Sequence, residues 1–358
     1  VLALGIVGLP NVGKSTLFNA LTKNAVLAAN YPFATIEPNV GIVPLPDPRL
    51  DKLAALYNSA KIVPAPVTFV DIAGLVRGAS EGQGLGNQFL ANIRETRAVV
   101  QVVRAFEDSD VIHVEGSIDP QRDIVTINTE LILADLATVD RRLERLGSEL
   151  KGNPKLGPLR DLLVRTRTLL DDGKLAGSFL SADERATLAD LQLLTAKPFI
   201  FVFTLGVSNL TNTELQAKLA RIVAPARSIF LSPRLEAELA ELPEADAHEL
   251  RESYGQSQSG LDALAAAGFD TLDLQTFLTA GPKETRAWTI PRGATAPEAA
   301  GTIHTDFQKG FIKAEIVSYA DLIAAGSVAA VRAAGKVRLE GRDYVMQDGD
   351  VVEFRFNV

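Results

Sequence analysis

Short apolar runs punctuate the first two thirds of the chain, at residues 2–7, 67–72, 99–103, 199–203 and 228–231. Each has the length of a buried strand, and helix-like spacing fills the intervals, beginning at 15–22 directly after the first run. Strands alternating with helices predict an α/β layered domain with a mostly parallel sheet.

Between the third and fourth runs the spacing changes. Val125, Thr129, Ile132, Leu136, Val139, Leu143, Leu146 and Leu150 recur at alternating steps of four and three, a heptad seam with one polar member, which reads as a long helix. Gly152-Asn153-Pro154 and Gly157-Pro158 then supply turn chemistry, and Leu159, Leu163, Thr166 and Leu170 resume the seam. So narrow a stripe predicts an antiparallel α-helical coiled-coil hairpin inserted into the α/β domain, with two ordinary core helices as the alternative. From about Asp273 onward the pattern is different again. Segments 287–290, 311–317, 337–340 and 351–356 alternate apolar and polar residues between Gly or Pro turns, the signature of a small half-exposed sheet, and a helix is expected across it at 321–334. The resulting division is 1–120 with 196–272 for a nucleotide-binding domain, 121–195 for the helical insertion and 273–358 for the terminal sheet.

Composition narrows the chemistry. The 358 residues contain no cysteine, which excludes disulfides, thiolate nucleophiles and sulfur-ligated metals, so any metal is held by oxygen. No stretch approaches the roughly 18 unbroken apolar residues of a membrane span, and no basic leader opens the sequence. A cytoplasmic protein without membrane contact is expected. The net charge of −8 argues against general nucleic-acid binding, and no DNA specificity is expected. One region departs from that acidic average: residues 141–167 hold eight Lys or Arg against three Asp or Glu. A charged solvated helix face is the plain explanation, and a contact with ribosomal RNA phosphates is favoured over it because self-paired helices mix their charges more evenly.

The chemistry itself is announced by Gly8-Leu9-Pro10-Asn11-Val12-Gly13-Lys14-Ser15, a phosphate-binding loop that follows a strand and opens a helix. Its glycines let the chain curl so that the N–H groups from Asn11 to Thr16 face phosphates; Lys14 is expected to bridge the β- and γ-phosphates and Ser15 to ligate Mg2+. Asp71-Ile72-Ala73-Gly74 ends another strand as in switch-type nucleotide triphosphatases, with Asp71 supporting the metal and the Gly74 N–H meeting the γ-phosphate. Thr35 is the candidate second metal ligand, with a turn-forming threonine as the alternative. Leu75 follows Gly74 where Ras-like enzymes carry a water-orienting glutamine, so hydrolysis is expected to be slow, to borrow a group, or to await a partner. His113 ends an apolar stretch and is a candidate for approach to the γ-phosphate, a structural role standing equally beside it.

These blocks, together with Asn30-Tyr31-Pro32-Phe33-Ala34-Thr35, Gly84-Leu85-Gly86-Asn87-Gln88-Phe89-Leu90, Phe277-Leu278-Thr279-Ala280-Gly281, Arg286-Ala287-Trp288-Thr289-Ile290 and His304-Thr305-Asp306-Phe307, resemble the YchF or Obg-like ATPase family over essentially the whole chain. The resemblance implies a P-loop domain of GTPase type that slowly hydrolyses ATP, an association with ribosomes, and a C-terminal TGS domain, a ubiquitin-like β-grasp module. It also implies a base-reading Asn-x-x-Glu after the strand at 199–203, but here Thr204 and Val207 occupy its two polar positions. A backbone contact from Leu205 to adenine needs no particular side chain and is retained as an expectation. A GTPase with other base contacts, and a ribosome- or RNA-binding adaptor gated by nucleotide, are the competing readings.

Overall fold

The computed structural model describes residues 2–27, 39–72, 85–107 and 117–357. The chain divides into two compact units, Val1–Lys23 with Glu37–Gly41 and Thr68–Ala263, and Asn24–Ile36 with Ile42–Val67 and Leu264–Val358.

In the first unit the expected strands form within a residue or two of their apolar runs. They are β1 (Ala3–Gly8), β4 (Pro66–Asp71), β5 (Ala98–Arg104), β6 (Phe199–Thr204) and β7 (Arg227–Leu231); β2 (Val40–Pro44), which the apolar pattern did not foresee, joins the same sheet, while β3 (Ile62–Val63) belongs to the second unit. The sheet order is β2-β4-β1-β5-β6-β7, and each neighbouring pair from β4 to β7 is parallel. Every residue of β1 and β5 is buried, which is why these strands read as near-continuous apolar runs without alternation, broken in β5 only by Gln101 and Arg104. The parallel register brings the carboxyl ends of β1, β4, β5 and β6 to one edge, where an α/β sheet binds its ligands.

Helix α1 (Lys14–Leu27) follows β1; α2 (Pro48–Tyr57) belongs to the second unit, and α3 (Leu85–Glu95) precedes β5. The long helix α4 (Pro120–Glu149) and its successor α5 (Gly157–Asp171) pack on each other through Ile132, Val139, Leu146, Leu163 and Leu170. Asp119 caps α4 by accepting from the Arg122 N–H. The heptad seam holds from Ile132 onward but not at its start: Val125 is 55% exposed, and Ile124, Ile127 and Leu131 are buried instead. Ile124 joins the cluster of Val103, Phe201, Phe203 and Leu205, so this end of α4 serves the sheet and the far end serves α5. Two partners on different sides of one helix cannot share a single stripe. Buried Asp135 ties the pair to the turn Leu194–Ala196 that precedes β6, accepting from the Leu194 N–H, the Thr195 N–H and the Thr195 hydroxyl at 2.7–2.8 Å.

The second unit is a six-stranded mixed sheet of order β11-β10-β12-β8-β9-β3, with β8 (Leu274–Ala280), β9 (Thr285–Pro291), β10 (Phe311–Ser318), β11 (Arg338–Glu340) and β12 (Asp350–Phe356). Its core holds Phe277, Ile290, Phe311, Ala314, Ile316 and Phe354. Two features differ from expectation. The helix foreseen at 321–334 is two short helices, Tyr319–Ala325 and Val328–Ala333, because Gly326 takes a left-handed φ of 72° and Ser327 caps a new start. Residues 42–67, assigned to the nucleotide-binding segment 1–120 on sequence pattern, group with 264–358: Ile62–Val63 adds a parallel edge strand to β9, Ser59 Oγ donates to the Gly281 carbonyl at 2.7 Å, and Arg49 bridges Asp47 and Asp348 at 2.8 Å each.

Candidate nucleotide-binding site

The loop between β1 and α1 is shaped by backbone conformations that most residues avoid. Asn11 has φ 63° and Gly13 φ 93°, and these left-handed turns aim successive N–H groups to one side. Gly13 has a further constraint, since a Cβ there would come within 2.9 Å of Pro233 Cγ. At Gly8 a Cβ would stand 3.0 Å from Val12 Cγ2 and 3.1 Å from the Val102 carbonyl. Helix α1 begins immediately, with the Leu17 N–H donating to the Gly13 carbonyl at 2.9 Å.

Lys14 turns to the end of β4, donating to Asp71 Oδ1 at 2.5 Å and to the Ile72 carbonyl at 3.0 Å. The pairing joins two motifs 57 residues apart and places the Asp71 carboxylate beside the P-loop, as parallel pairing of β1 and β4 in the register Ile6↔Asp71 requires. Asn11, Gly13, Lys14, Ser15 and Thr16 line a cavity of about 760 Å³, and Leu205 lies in its wall. Val12 is buried under the loop and does not line it. Thr35, Gly74, Leu75 and His113 lie outside the described residues. The Ser15 hydroxyl and the Asp71 carboxylate are hard oxygen donors of the kind Mg2+ takes. No group of three or more acidic or histidine side chains gathers among the described residues, which suits an ion that completes its shell with phosphate and water. The donor set fits Mg2+.

Several residues of the site escaped the sequence reading. Thr204, which looked like the loss of a base reader, is fully buried, and its hydroxyl donates to the Val12 carbonyl at 2.8 Å, with the Val103 carbonyl at 3.3 Å. It is a tether of the P-loop. The Leu205 N–H is engaged by the Leu231 carbonyl at 2.9 Å, so that donor is not the one offered to a base. Phe106 and Glu107 follow β5, and Ser232, Pro233 and Arg234 follow β7; all five line the cavity. Their signal was positional, each pair or trio lying just past the carboxyl end of a parallel strand. Arg104 is 1% exposed; its Nε–H donates to the Phe106 carbonyl at 3.1 Å and its guanidinium lies 4.4 Å from the centre of that ring. Beneath the far wall, burial raises the pKa of Glu236 against the opposing effect of hydrogen bonds from the Gly260 N–H at 2.7 Å and the Ser259 hydroxyl at 3.1 Å. That anchor holds the helix Pro233–Leu239 that presents Pro233 and Arg234.

A smaller cavity of about 380 Å³ in the second unit is lined mainly by apolar side chains, among them Ile303, Leu322 and Val331, and has no phosphate-binding loop.

The chain is 49% identical to the Ribosome-binding ATPase YchF of Escherichia coli O157:H7, with 99% of each chain covered, and 48% identical to the protein of the same name from Bacillus subtilis (strain 168), with 100% of each covered. This chain belongs to the YchF family. A model described as a 50S ribosome-binding GTPase matches residues 3–142, and the YchF-GTPase_C model, described as a protein of unknown function, matches 274–357. The structure of the Schizosaccharomyces pombe YchF GTPase superimposes with a TM-score of 0.88 at 38% identity, covering 99% of this chain and 97% of that one. A GTP binding protein from Pyrococcus horikoshii OT3, at TM-score 0.60 and 19% identity, shares the fold. The first unit thus has the P-loop GTPase-like α/β fold of YchF proteins.

Proposed function

We propose that this chain is a magnesium-dependent ATPase of the YchF family that associates with ribosomes as a slow regulatory switch in the cytoplasm. The observation that carries the reading is a phosphate loop, with Lys14 set beside Asp71, that opens on a cavity where Phe106, Leu205, Val207 and Pro233 stand beside the polar Glu107, Ser232 and Arg234. Lys14 and the N–H groups from Gly13 to Thr16 bind and orient the triphosphate, Ser15 and Asp71 hold Mg2+, and Phe106, Leu205 and Pro233 enclose the flat base. Bound Mg2+ supplies charge neutralisation at the phosphates. At 204–207 no carboxylate is present to accept from guanine N1 and N2, which supports ATP as the substrate. Thr35 as second metal ligand, the Gly74 N–H at the γ-phosphate and His113 near it complete the proposal on sequence grounds.

The helix pair α4–α5 fits a projecting coiled-coil hairpin, the second unit's sheet fits a TGS domain, and the basic turn fits an RNA contact. Arg142, Arg160, Arg165 and Arg167 are each paired with a carboxylate at 2.7–2.9 Å. Arg141, Arg145, Lys151 and Lys155 are exposed, and no ion pair among the described residues engages them, so these four are the cations offered to phosphate. The names of the relatives support the ribosome as partner.

Hydrolysis of ATP and GTP by the purified protein, with and without ribosomes, tests the reading. Lys14→Ala is expected to abolish tight triphosphate binding, since no other cation in the loop can take its place. Unchanged ATP affinity in that variant would remove the site from consideration.

A further inference from the structure

Pro233 stands where the wall of the nucleotide cavity meets the P-loop. It follows Ser232 past the end of β7, is buried, and lines the cavity with Phe106, Leu205 and Val207. Its ring leans on the loop itself, as the 2.9 Å approach of Pro233 Cγ to the Cβ position of Gly13 shows. What the residue withholds matters as much as what it packs against. The proline ring nitrogen carries no hydrogen, whereas any other residue at this position would add an N–H to the wall.

Purine discrimination turns on such donors. The edge that distinguishes the two bases carries a carbonyl acceptor, O6, in guanine and an amino donor, N6, in adenine. A cavity selecting guanine gains from an N–H aimed at O6, and one that leaves O6 unmet rejects guanine by the cost of a desolvated acceptor. Here the neighbouring Leu205 N–H is already engaged by the Leu231 carbonyl at 2.9 Å. Of the side chains in the lining, Leu205, Val207 and Phe106 offer no hydrogen-bonding group, whereas Glu107, Ser232 and Arg234 line the cavity as well and act equally in the wild type and in a variant at 233. An adenine loses nothing when residue 233 has no donor.

We propose that Pro233 is a specificity-determining residue, which selects adenine over guanine by removing a backbone N–H from the cavity wall. This rests on the ATPase reading and deepens it by naming an atom that enforces the choice. Titration calorimetry of the full chain with ATP, GTP and inorganic tripolyphosphate, each with magnesium, tests it in the wild type and in Pro233→Ala. Alanine is compatible with the first position of a helix and restores the N–H. Loss of the ring contact with Gly13 weakens all three ligands alike, and tripolyphosphate, which has no base, measures that loss. The restored donor acts on GTP alone. The ratio of the GTP Kd to the ATP Kd is expected to fall about tenfold, the worth of one hydrogen bond to a buried acceptor, while the ratio of ATP to tripolyphosphate stays constant. Pro233→Ser restores the same N–H and is expected to give the same shift, so the inference does not hang on one variant folding. A wild type that prefers ATP, with the GTP-to-ATP ratio unmoved in both variants, overturns the role of Pro233 and leaves the ATPase reading standing. A wild type that prefers GTP overturns both.

Discussion

Thr204→Val isolates the tether beneath the P-loop. The two side chains have nearly the same shape, so the substitution removes a hydroxyl and leaves the packing of a fully buried residue almost intact. A hydroxyl has one hydrogen, and of its two neighbours the Val12 carbonyl at 2.8 Å is the better acceptor than the Val103 carbonyl at 3.3 Å. The variant therefore loses one buried hydrogen bond and leaves the Val12 carbonyl without that donor, a combined cost of about 1–2 kcal/mol. Val12 lies between the two left-handed residues of the loop, Asn11 and Gly13, so the loss falls on the conformation that binds phosphate. If the whole cost is drawn from binding, ATP affinity falls by roughly 5- to 30-fold. Calorimetric titration with ATP, alongside urea unfolding of the ligand-free protein, separates the effect on binding from that on stability. Thr204→Ser keeps the hydroxyl and is expected to bind ATP within about threefold of wild type, the lost methyl being felt mainly as a cavity. ATP affinity in Thr204→Val equal to that of wild type, with unaltered stability, would refute the tether.

Two further outcomes are expected. Burial is the main cause that raises the Asp135 pKa, against hydrogen bonds from Thr195 and Leu194 and the charge of Arg94, so its contribution to stability is full below the ordinary carboxylate pKa and is lost as pH rises through the raised value. Urea unfolding should accordingly show the wild type gaining on Asp135→Asn as pH falls from about 7 to about 4, and a constant difference between them would contradict this. At the basic turn, replacing Arg145, Lys151 and Lys155 with glutamate should weaken co-sedimentation with ribosomes and flatten its salt dependence by a slope of about 2 to 3, while ATP hydrolysis by the isolated protein stays unchanged. Wild-type sedimentation across the salt series would place the RNA-facing surface elsewhere.

What could be read from sequence was what neighbours along the chain decide. Eight consecutive residues carry the spacing of a phosphate loop, and β1 and β5 announce themselves because strands buried on both faces are mainly apolar, with Gln101 and Arg104 as the polar exceptions in β5. Leu163, Thr166 and Leu170 were legible for the same reason, each repeating the seam of one helix against one partner. Tertiary structure decided the rest. The cavity wall beside the P-loop is assembled from Phe106, Leu205 and Pro233, which meet only because parallel strands end at a common edge. Thr204 reads as a polar residue lost from one motif until the fold sets its hydroxyl under another, 192 positions away. The buried face of α4 shifts from Ile124 and Ile127 to Val139 and Leu146 where its partner changes from sheet to helix, and Ile62–Val63 finds its place only when β9 offers an open edge. Local spacing records the period of a helix or strand, but the identity of what lies across from it is fixed by pairing between segments that are distant in sequence, and no local pattern encodes that.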